Sequence, residues 1–364
     1  MSSPIEATNP ACVISGAGRL AVDAVPDEIP GAGQVTVDVA FGGICGSDLH
    51  YWRDGAVGDF QIREPLVPGH EIVGHVARLG PQVRQPEPGT AVAIHPATVC
   101  GHCPPCRTGR RNLCENVAYL GSAARMPHVQ GGFRQRLVVP ADQLFTIPDG
   151  LALRRAVLAE PLAVALHAVH RAGDLLGRRV LVTGSGPIGV LVTAAAVTAG
   201  ASVTVTDLVP QALAVARSVG AATTIALGSD PDPEPRAYDV AIEASGAPAA
   251  LRTASLAVRR GGTVVLLGML PPQVAFAGSL AVTRELDIRG SFRFDAEFGP
   301  ALALLSDGLP VEQVVTAVLP LAEASAAFEL AVDRTRSCKV LLNMSGPADR
   351  LSDPSGDPDP AVRA

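Results

Sequence analysis

Val180-Leu181-Val182-Thr183-Gly184-Ser185-Gly186-Pro187-Ile188-Gly189 is the stretch that decides the fold. A short apolar run of strand character enters a G-x-G-x-x-G turn, and an Ala- and Val-rich segment of helical character leaves it. A second strand-like run then ends at Asp207, eighteen residues beyond Gly189. Glycines alone are a weak signal, and a glycine-rich turn in another doubly wound protein is the alternative. The strand before, the helix after and the acid at the end of the next strand are the context a dinucleotide fingerprint requires. Gly184 then permits the tight turn, and Gly186 lets backbone N–H groups reach a pyrophosphate at the helix N-terminus. Gly189 lets helix and strand pack closely. Gly184, Gly186, Pro187, Ile188 and Gly189 are the expected cofactor-binding set. Asp207 is expected to accept hydrogen bonds from the ribose hydroxyls and to repel a 2′-phosphate, which favours NAD over NADP.

Working outward, apolar strands and helical segments alternate from about Glu160-Pro161 onward: Ser202 to Thr206, Val240-Ala241-Ile242 and Thr263 to Leu267 are the further strands. That alternation predicts a parallel sheet with helices on both faces. The Pro- and Asp-rich run 228–236 reads as a surface loop. Before Glu160 the chain is strand-rich and heavily punctuated by Gly and Pro, with Gln34 to Val39 alternating like a half-buried strand and another beginning at 90–95. After Gly290 the alternation stops. A helix over 300–306 and a closing strand Val340-Leu341-Leu342 are expected to rejoin the first domain. The tail 346–364, with four prolines and four aspartates, reads as disordered.

Composition narrows the function. The chain has 364 residues, is 48% hydrophobic and carries a formal charge of -6, enough for two domains with real cores and not suited to nucleic acid or a membrane surface as main partner. Of its 29 basic residues only Lys339 is a lysine. Schiff-base or P-loop chemistry would rest on that one residue. No basic n-region with an apolar core opens the chain, and the apolar run 189–206 is broken by Gly200, so it reads as helix, turn and strand. A cytoplasmic enzyme is the expectation.

Four of the seven cysteines, Cys100, Cys103, Cys106 and Cys114, fall within fifteen residues as C-x2-C-x2-C-x7-C. Such thiolates can close a tetrahedron round one zinc, leaving no open position, so the site should be structural. An iron–sulfur cluster or a nucleic-acid-binding knuckle is the alternative. Against the knuckle, the loop offers Arg107, Arg110 and Arg111 but no aromatic residue for stacking.

Chemistry is expected in Gly43-Ile44-Cys45-Gly46-Ser47-Asp48-Leu49-His50 and in Gly69-His70-Glu71-Ile72-Val73-Gly74. A thiolate at Cys45, an imidazole at His70 and a carboxylate at Glu71 are ligand types that suit a zinc with an open position. Glu160 lies at the apparent domain junction, where a cleft is expected. Each residue alone has a bland explanation, since a lone cysteine is usually a small buried hydrophobe. No spacing rule joins ligands twenty-five residues apart.

These segments, in this order and over nearly the whole chain to about Met344, resemble the zinc-containing medium-chain alcohol and polyol dehydrogenases. Cys45 to Trp52 together with Glu160 resembles the sorbitol dehydrogenase branch. Gly121-Ser122-Ala123 with Pro127-His128-Val129, and Gly290-Ser291-Phe292-Arg293-Phe294 with Glu297-Phe298, resemble the L-idonate 5-dehydrogenases within it. The resemblance implies a GroES-like β-rich catalytic domain over 1–161, with 293–345 returning to it, and a Rossmann NAD-binding domain over 162–292. It implies two zincs per chain, one structural and one catalytic. Cys45, His70 and Glu71 would hold the catalytic zinc, with Glu160 as a further ligand or acting through water. Ser47 and His50 would relay the substrate proton, and Arg293 would contact substrate. Leu267-Gly268-Met269 would pass beneath the nicotinamide, with Phe292 near the cofactor. A small polyol or sugar acid is the implied substrate and a homodimer or homotetramer the implied assembly. Threonine oxidation and a non-enzymatic zinc-stabilised binding protein are the remoter alternatives. Ala212 stands where some sorbitol dehydrogenases place an arginine near the ribose, and Arg125 where related idonate enzymes carry an aromatic or apolar residue. A short-chain dehydrogenase is excluded, because no tyrosine stands four residues before Lys339.

Overall fold

The computed structural model describes residues 8–345 and divides them into two compact units. The expected tail over 346–364 lies outside the described residues. The first unit takes the chain to Glu160 and again over Val315–Val332 and from Lys339; the second takes Pro161–Val314 and Asp333–Cys338. The chain therefore returns to the first unit at Val315, later than the expected 293. The physical reason is local. Glu297, just before the helix Phe298–Ser306, accepts hydrogen bonds from His167 and His170 of the helix Ala159–Ala172, which tie residues 293–314 to the second unit.

The second unit is built on six strands, every neighbouring pair parallel, in the order Thr223–Ala226, Ser202–Asp207, Arg179–Thr183, Tyr238–Glu243, Val258–Leu266, Asp287–Gly290. Val180, Leu181 and Val182 are fully buried at its centre, as a continuous apolar run in a parallel sheet should be. The strand order reverses beside Arg179–Thr183, and the crevice at the carboxyl ends of the strands on either side of that reversal is where ligands bind in open α/β sheets. The helix Pro187–Thr198 opens there, with proline in its first turn, and is buried from Gly189 to Ala196. A left-handed Gly200 separates it from the next strand, so the apolar stretch is helix, turn and strand as expected. Residues 228–236 form a mostly exposed loop. Among the described residues no helix is long and apolar enough to cross a membrane.

The first unit holds a seven-stranded sheet whose centre is the long strand Gln34–Gly43. That strand pairs antiparallel with Glu71–Leu79 on one side, and on the other with Arg136–Pro140 near its start and Lys339–Asn343 near its end. The register sets Gly43 opposite both Glu71 and Leu341. Three segments far apart in sequence thus end at one point of the sheet. The core beneath joins Ile14, Val37, Ile72, Phe133, Phe328 and Leu342, all at most 2% exposed.

Candidate functional site

In the first unit the chain leaves Gly43, passes Ile44 and starts the helix Gly46–Asp54 at Cys45, its N-cap residue. The backbone N–H of Cys45 donates to Asp48 Oδ2 at 2.9 Å, so Asp48 fixes the turn that presents the thiol. A thiolate at a helix N-terminus also faces the positive end of the helix dipole. His70 and Glu71 lead into the neighbouring strand, and ligand atoms of Cys45, His70 and Glu71 all lie within 4.8 Å of one another. Glycine at 43 makes the space: a Cβ there would lie 2.0 Å from Glu71 Oε2.

Glu71 is fully buried and paired with Lys339, whose ammonium donates to both its carboxylate oxygens at 2.7 and 2.9 Å and to Ile44 O at 3.0 Å. All three donors of the lysine are thereby used. Glu160, also buried, stands outside the three-residue cluster and accepts a hydrogen bond from Tyr119 Oη at 2.7 Å. Asp48 Oδ1 approaches His70 Nδ1 to 3.9 Å and accepts from Gly69 N at 3.3 Å. Burial pushes the Asp48 and Glu160 carboxyls up. Burial pulls His70 down, but the Cys45, Asp48 and Glu160 charges around it more than offset that and raise it well above the ordinary histidine value. Lys339 is raised likewise, Glu71 and Cys45 overcoming its burial. Cys45, Asp48, Glu71 and Glu160 form an acid-rich pocket with Lys339 as its fixed cation, an arrangement a bound divalent ion completes. Soft thiolate, imidazole and carboxylate together fit zinc.

Ser47 is half-buried on the first turn of the same helix. His50 is exposed and pairs with Asp54 at 2.9 Å. Tyr51, one residue on, is buried and accepts the N–H of Ala123 at 3.0 Å, which anchors the 121–133 segment. His128 pins that segment a second time: its Nδ1 meets Arg125 O at 2.7 Å while its Nε2 accepts the N–H of Arg63 at 2.9 Å. Arg125 itself is exposed.

The four-cysteine lobe is a separate, self-contained set. Cys100, Cys103, Cys106 and Cys114 are free thiols whose sulfurs gather within 4.8 Å. The Cys114–Cys100 and Cys103–Cys114 sulfur distances are 3.5 and 3.9 Å, bracketing the ~3.8 Å edge of a tetrahedron with zinc–sulfur bonds of about 2.3 Å. Backbone N–H groups of Cys100, Cys103 and Asn116 point at sulfur. Backbone donors from His102 and Cys103 lower Cys100 to about 6, whereas burial and the neighbouring sulfurs push Cys106 up to about 12. Four sulfurs so close ionise together only with a cation among them, and zinc fits.

In the second unit the turn is as the motif requires. Gly184 sits at φ +98° against Ser245, and a Cβ on Gly189 would lie 2.0 Å from Gly184 O. Asp207 ends its strand almost fully buried; Oδ2 accepts Ser185 N at 2.7 Å and Oδ1 accepts Val209 N at 2.9 Å. Leu267 N and Gly268 N donate to Glu243 O, which holds 267–269 at the carboxyl end of the Tyr238–Glu243 strand, with Met269 exposed. Arg293, in the left-handed region at φ +53°, lies 4.7 Å over the exposed Phe292 ring.

A model of the alcohol dehydrogenase GroES-like domain matches residues 31–149, and a zinc-binding dehydrogenase model matches 187–307. The chain belongs to the zinc-binding alcohol dehydrogenase family. It is an oxidoreductase of the kind that acts on CH–OH groups. It is 36% identical to L-idonate 5-dehydrogenase (NAD(P)(+)) of Escherichia coli strain K12 over 91% of this chain and 97% of that protein. It is also 36% identical to sorbitol dehydrogenase of Gallus gallus, over 92% and 96%. The crystal structure of the Escherichia coli L-idonate 5-dehydrogenase superposes with a TM-score of 0.89 at 35% identity, covering 93% and 98%. The GroES-like and Rossmann architecture read from the sequence is therefore the architecture of the chain.

Four residues at these sites had no role in the sequence reading: Asp48, Tyr119, Arg334 and Lys339. Asp48 carried a local signal, a carboxylate three residues after a helix N-cap. Lys339 carried a compositional one, the sole lysine, heading an apolar strand. For Tyr119 and Arg334 nothing local points to their partners, which are 41 and 127 residues away.

Proposed function

We propose that the chain oxidises L-idonate at C5 to 5-keto-D-gluconate, reversibly and with NAD. The observation that carries the chemistry is the Cys45–His70–Glu71 cluster, with His70 and Glu71 buried and Cys45 half-buried, its acid-rich surround and the Lys339 ammonium fixed on Glu71. In this reading those three residues hold the catalytic zinc, Glu160 sits beside it as a ligand or through water, and the four-cysteine lobe holds the structural zinc. When bound, zinc supplies Lewis acidity that lowers the pKa of a coordinated hydroxyl, and the nicotinamide accepts the hydride. The chain's own residues do the rest. Lys339, bonded to both oxygens of Glu71, keeps that carboxylate aimed at the cluster. Ser47 accepts the substrate's hydroxyl proton and passes it through exposed His50 to solvent. One hydride and one proton leave the CH–OH group, and a ketone remains. The loop 184–189 and Asp207 hold the dinucleotide, with 267–269 and Phe292 beside the nicotinamide half.

The preference for a sugar acid is supported by the idonate-like segments and by two arginines. Arg293 is the first candidate to pair with the substrate carboxylate, and Arg125, on the loop pinned by His128, the second. A charge-assisted hydrogen bond of this kind contributes roughly 1.5–3 kcal/mol, about ten- to a hundredfold in efficiency. A neutral polyol such as sorbitol or xylitol is the second reading, supported by the equal identity to a sorbitol dehydrogenase. Steady-state kinetics on L-idonate, sorbitol, xylitol and threonine, each with NAD and NADP, decide between them. L-idonate with NAD should win, and a neutral polyol better by tenfold would replace the acid assignment. A tenfold advantage for NADP would remove Asp207 as the selecting residue. The enzyme is proposed to act as a cytoplasmic homodimer or homotetramer, which sedimentation measures directly.

A further inference from the structure

The acid expected to read the cofactor's ribose already holds a cation. Arg334 donates to Asp207 Oδ2 at 2.6 Å, on a carboxylate only 3% exposed, while the guanidinium itself is half exposed. A carboxylate offers about four acceptor positions. Here Val209 N takes one on Oδ1, and Ser185 N and Arg334 both take Oδ2. With Arg334 in place one position is left, on Oδ1, enough for one ribose hydroxyl and not for two.

Charge changes as well. A lone aspartate at this strand end excludes a 2′-phosphate by repulsion. An aspartate with a guanidinium at 2.6 Å presents no net charge to it. The arginine also reaches beyond the acid: Nη2 stands 4.0 Å from where a Cβ on Gly186 would lie, over the glycine that brings backbone N–H groups to the phosphates. Its planar fork carries five donors, suited to phosphate oxygens. Position 212, whose carbonyl accepts the Ser185 hydroxyl at 2.8 Å, is alanine and supplies no charge. Arg334 arrives on Asp333–Cys338, the short stretch near the C-terminus that belongs to the second unit. Asp333 braces this turn by accepting from Thr335 N at 3.0 Å and Thr335 Oγ1 at 2.6 Å.

We propose that Arg334 is a specificity-determining residue of the dinucleotide site: it shares the Asp207 carboxylate and offers its remaining donors to cofactor phosphates, so that the site prefers NAD yet admits the 2′-phosphorylated cofactor. The proposal rests on the reading of 184–189 and Asp207 as the dinucleotide site. A merely structural Arg334–Asp207 pair would weaken both cofactors alike when broken.

Direct binding is the test, with NADH and NADPH titrated into the zinc-loaded full chain and followed by nicotinamide fluorescence. The wild-type chain should bind NADPH within about thirtyfold of NADH, and Arg334→Ala should weaken NADPH by a further factor of about ten to a hundred relative to NADH. Arg334→Lys should recover part of that loss, since it restores the charge without the fork. If Arg334→Ala does not fold by thermal melting, Arg334→Gln, which keeps a donor without the charge, should show the same selective loss. Equal weakening of both cofactors, or no change in their ratio, overturns the proposal. Asp207→Ala separates the two readings. If it leaves NADH binding unchanged, the assignment of Asp207 to the ribose fails. If it weakens NADH while Arg334→Ala leaves the ratio alone, only the role of Arg334 fails.

Discussion

The two candidate metal-ligand sets of the first unit are built in opposite ways. The four-cysteine lobe gathers its ligands from fifteen consecutive residues and points its own backbone N–H groups at the sulfurs. The Cys45–His70–Glu71 cluster draws on a helix start and the head of one strand, and Glu71 is held by a lysine 268 residues away. The lobe offers four ligands and no opening, so a zinc held there would cross-link a loop. The cluster offers three ligands among further buried acids, so a zinc held there would keep a position for substrate. A closed set can be encoded locally. An open set has to be held from outside, by groups that are not ligands themselves.

The largest expected effect tests that contrast directly. Cys45→Ser should reduce turnover by about a thousandfold or more, since metal charge stabilisation of several kcal/mol is lost, and should leave the melting temperature nearly unchanged. Cys103→Ser should do the reverse in kind, lowering the melting temperature and halving a zinc content of about two per chain. Thermal melts, metal analysis and kinetics on the same preparations check both. Comparable losses of stability in the two variants would erase the distinction between open and closed sites.

The second effect concerns the outside support. Lys339→Met leaves a fully buried carboxylate without its counter-charge, which should cost about 3–5 kcal/mol of stability. Urea unfolding measures it, and Lys339→Met combined with Glu71→Leu should recover much of the loss. A single variant within 1 kcal/mol of wild type would show that Glu71 does not depend on the lysine.

The smallest effect comes from a carboxylate held by weaker partners. Burial would raise Glu297, but hydrogen bonds from His167 and His170 and from Asp295 N bring it down to about 2. A carboxyl depressed on folding contributes stability that is fully present above the ordinary glutamate value. That contribution is lost as pH falls from about 4.5 toward 2. Glu297→Gln should therefore lower the melting temperature by roughly 2–4 °C at pH 7 and flatten its decline over that acid window. Parallel pH profiles for variant and wild type would show that Glu297 contributes nothing there.

Legibility followed the same divide. The glycine turn, the helix it opens and the strand ending in Asp207 were readable because each signal lies within one or two turns of chain. The cysteine lobe was readable for the same reason. Cys45, His70 and Glu71 were recognisable as ligand types, but their meeting depends on the register that sets Gly43 opposite Glu71. The boundary near 293 was misplaced because helix Phe298–Ser306 has the same apolar character whichever unit it packs against. The histidine contacts to Glu297 show which side it takes.

By itself, then, the amino-acid sequence determined a dinucleotide-binding parallel sheet and a zinc-ready cysteine loop, because local geometry and local chemistry coincide in those motifs, and its resemblance to known enzymes supplied the alcohol-oxidising family. Tertiary structure alone decided that the only lysine neutralises Glu71 and that Arg334 shares the carboxylate of Asp207. Both are pairings across more than a hundred residues, formed between buried or half-buried charges. In such places desolvation makes an unpaired charge costly, and only the folded chain specifies which opposite charge is near enough to compensate it.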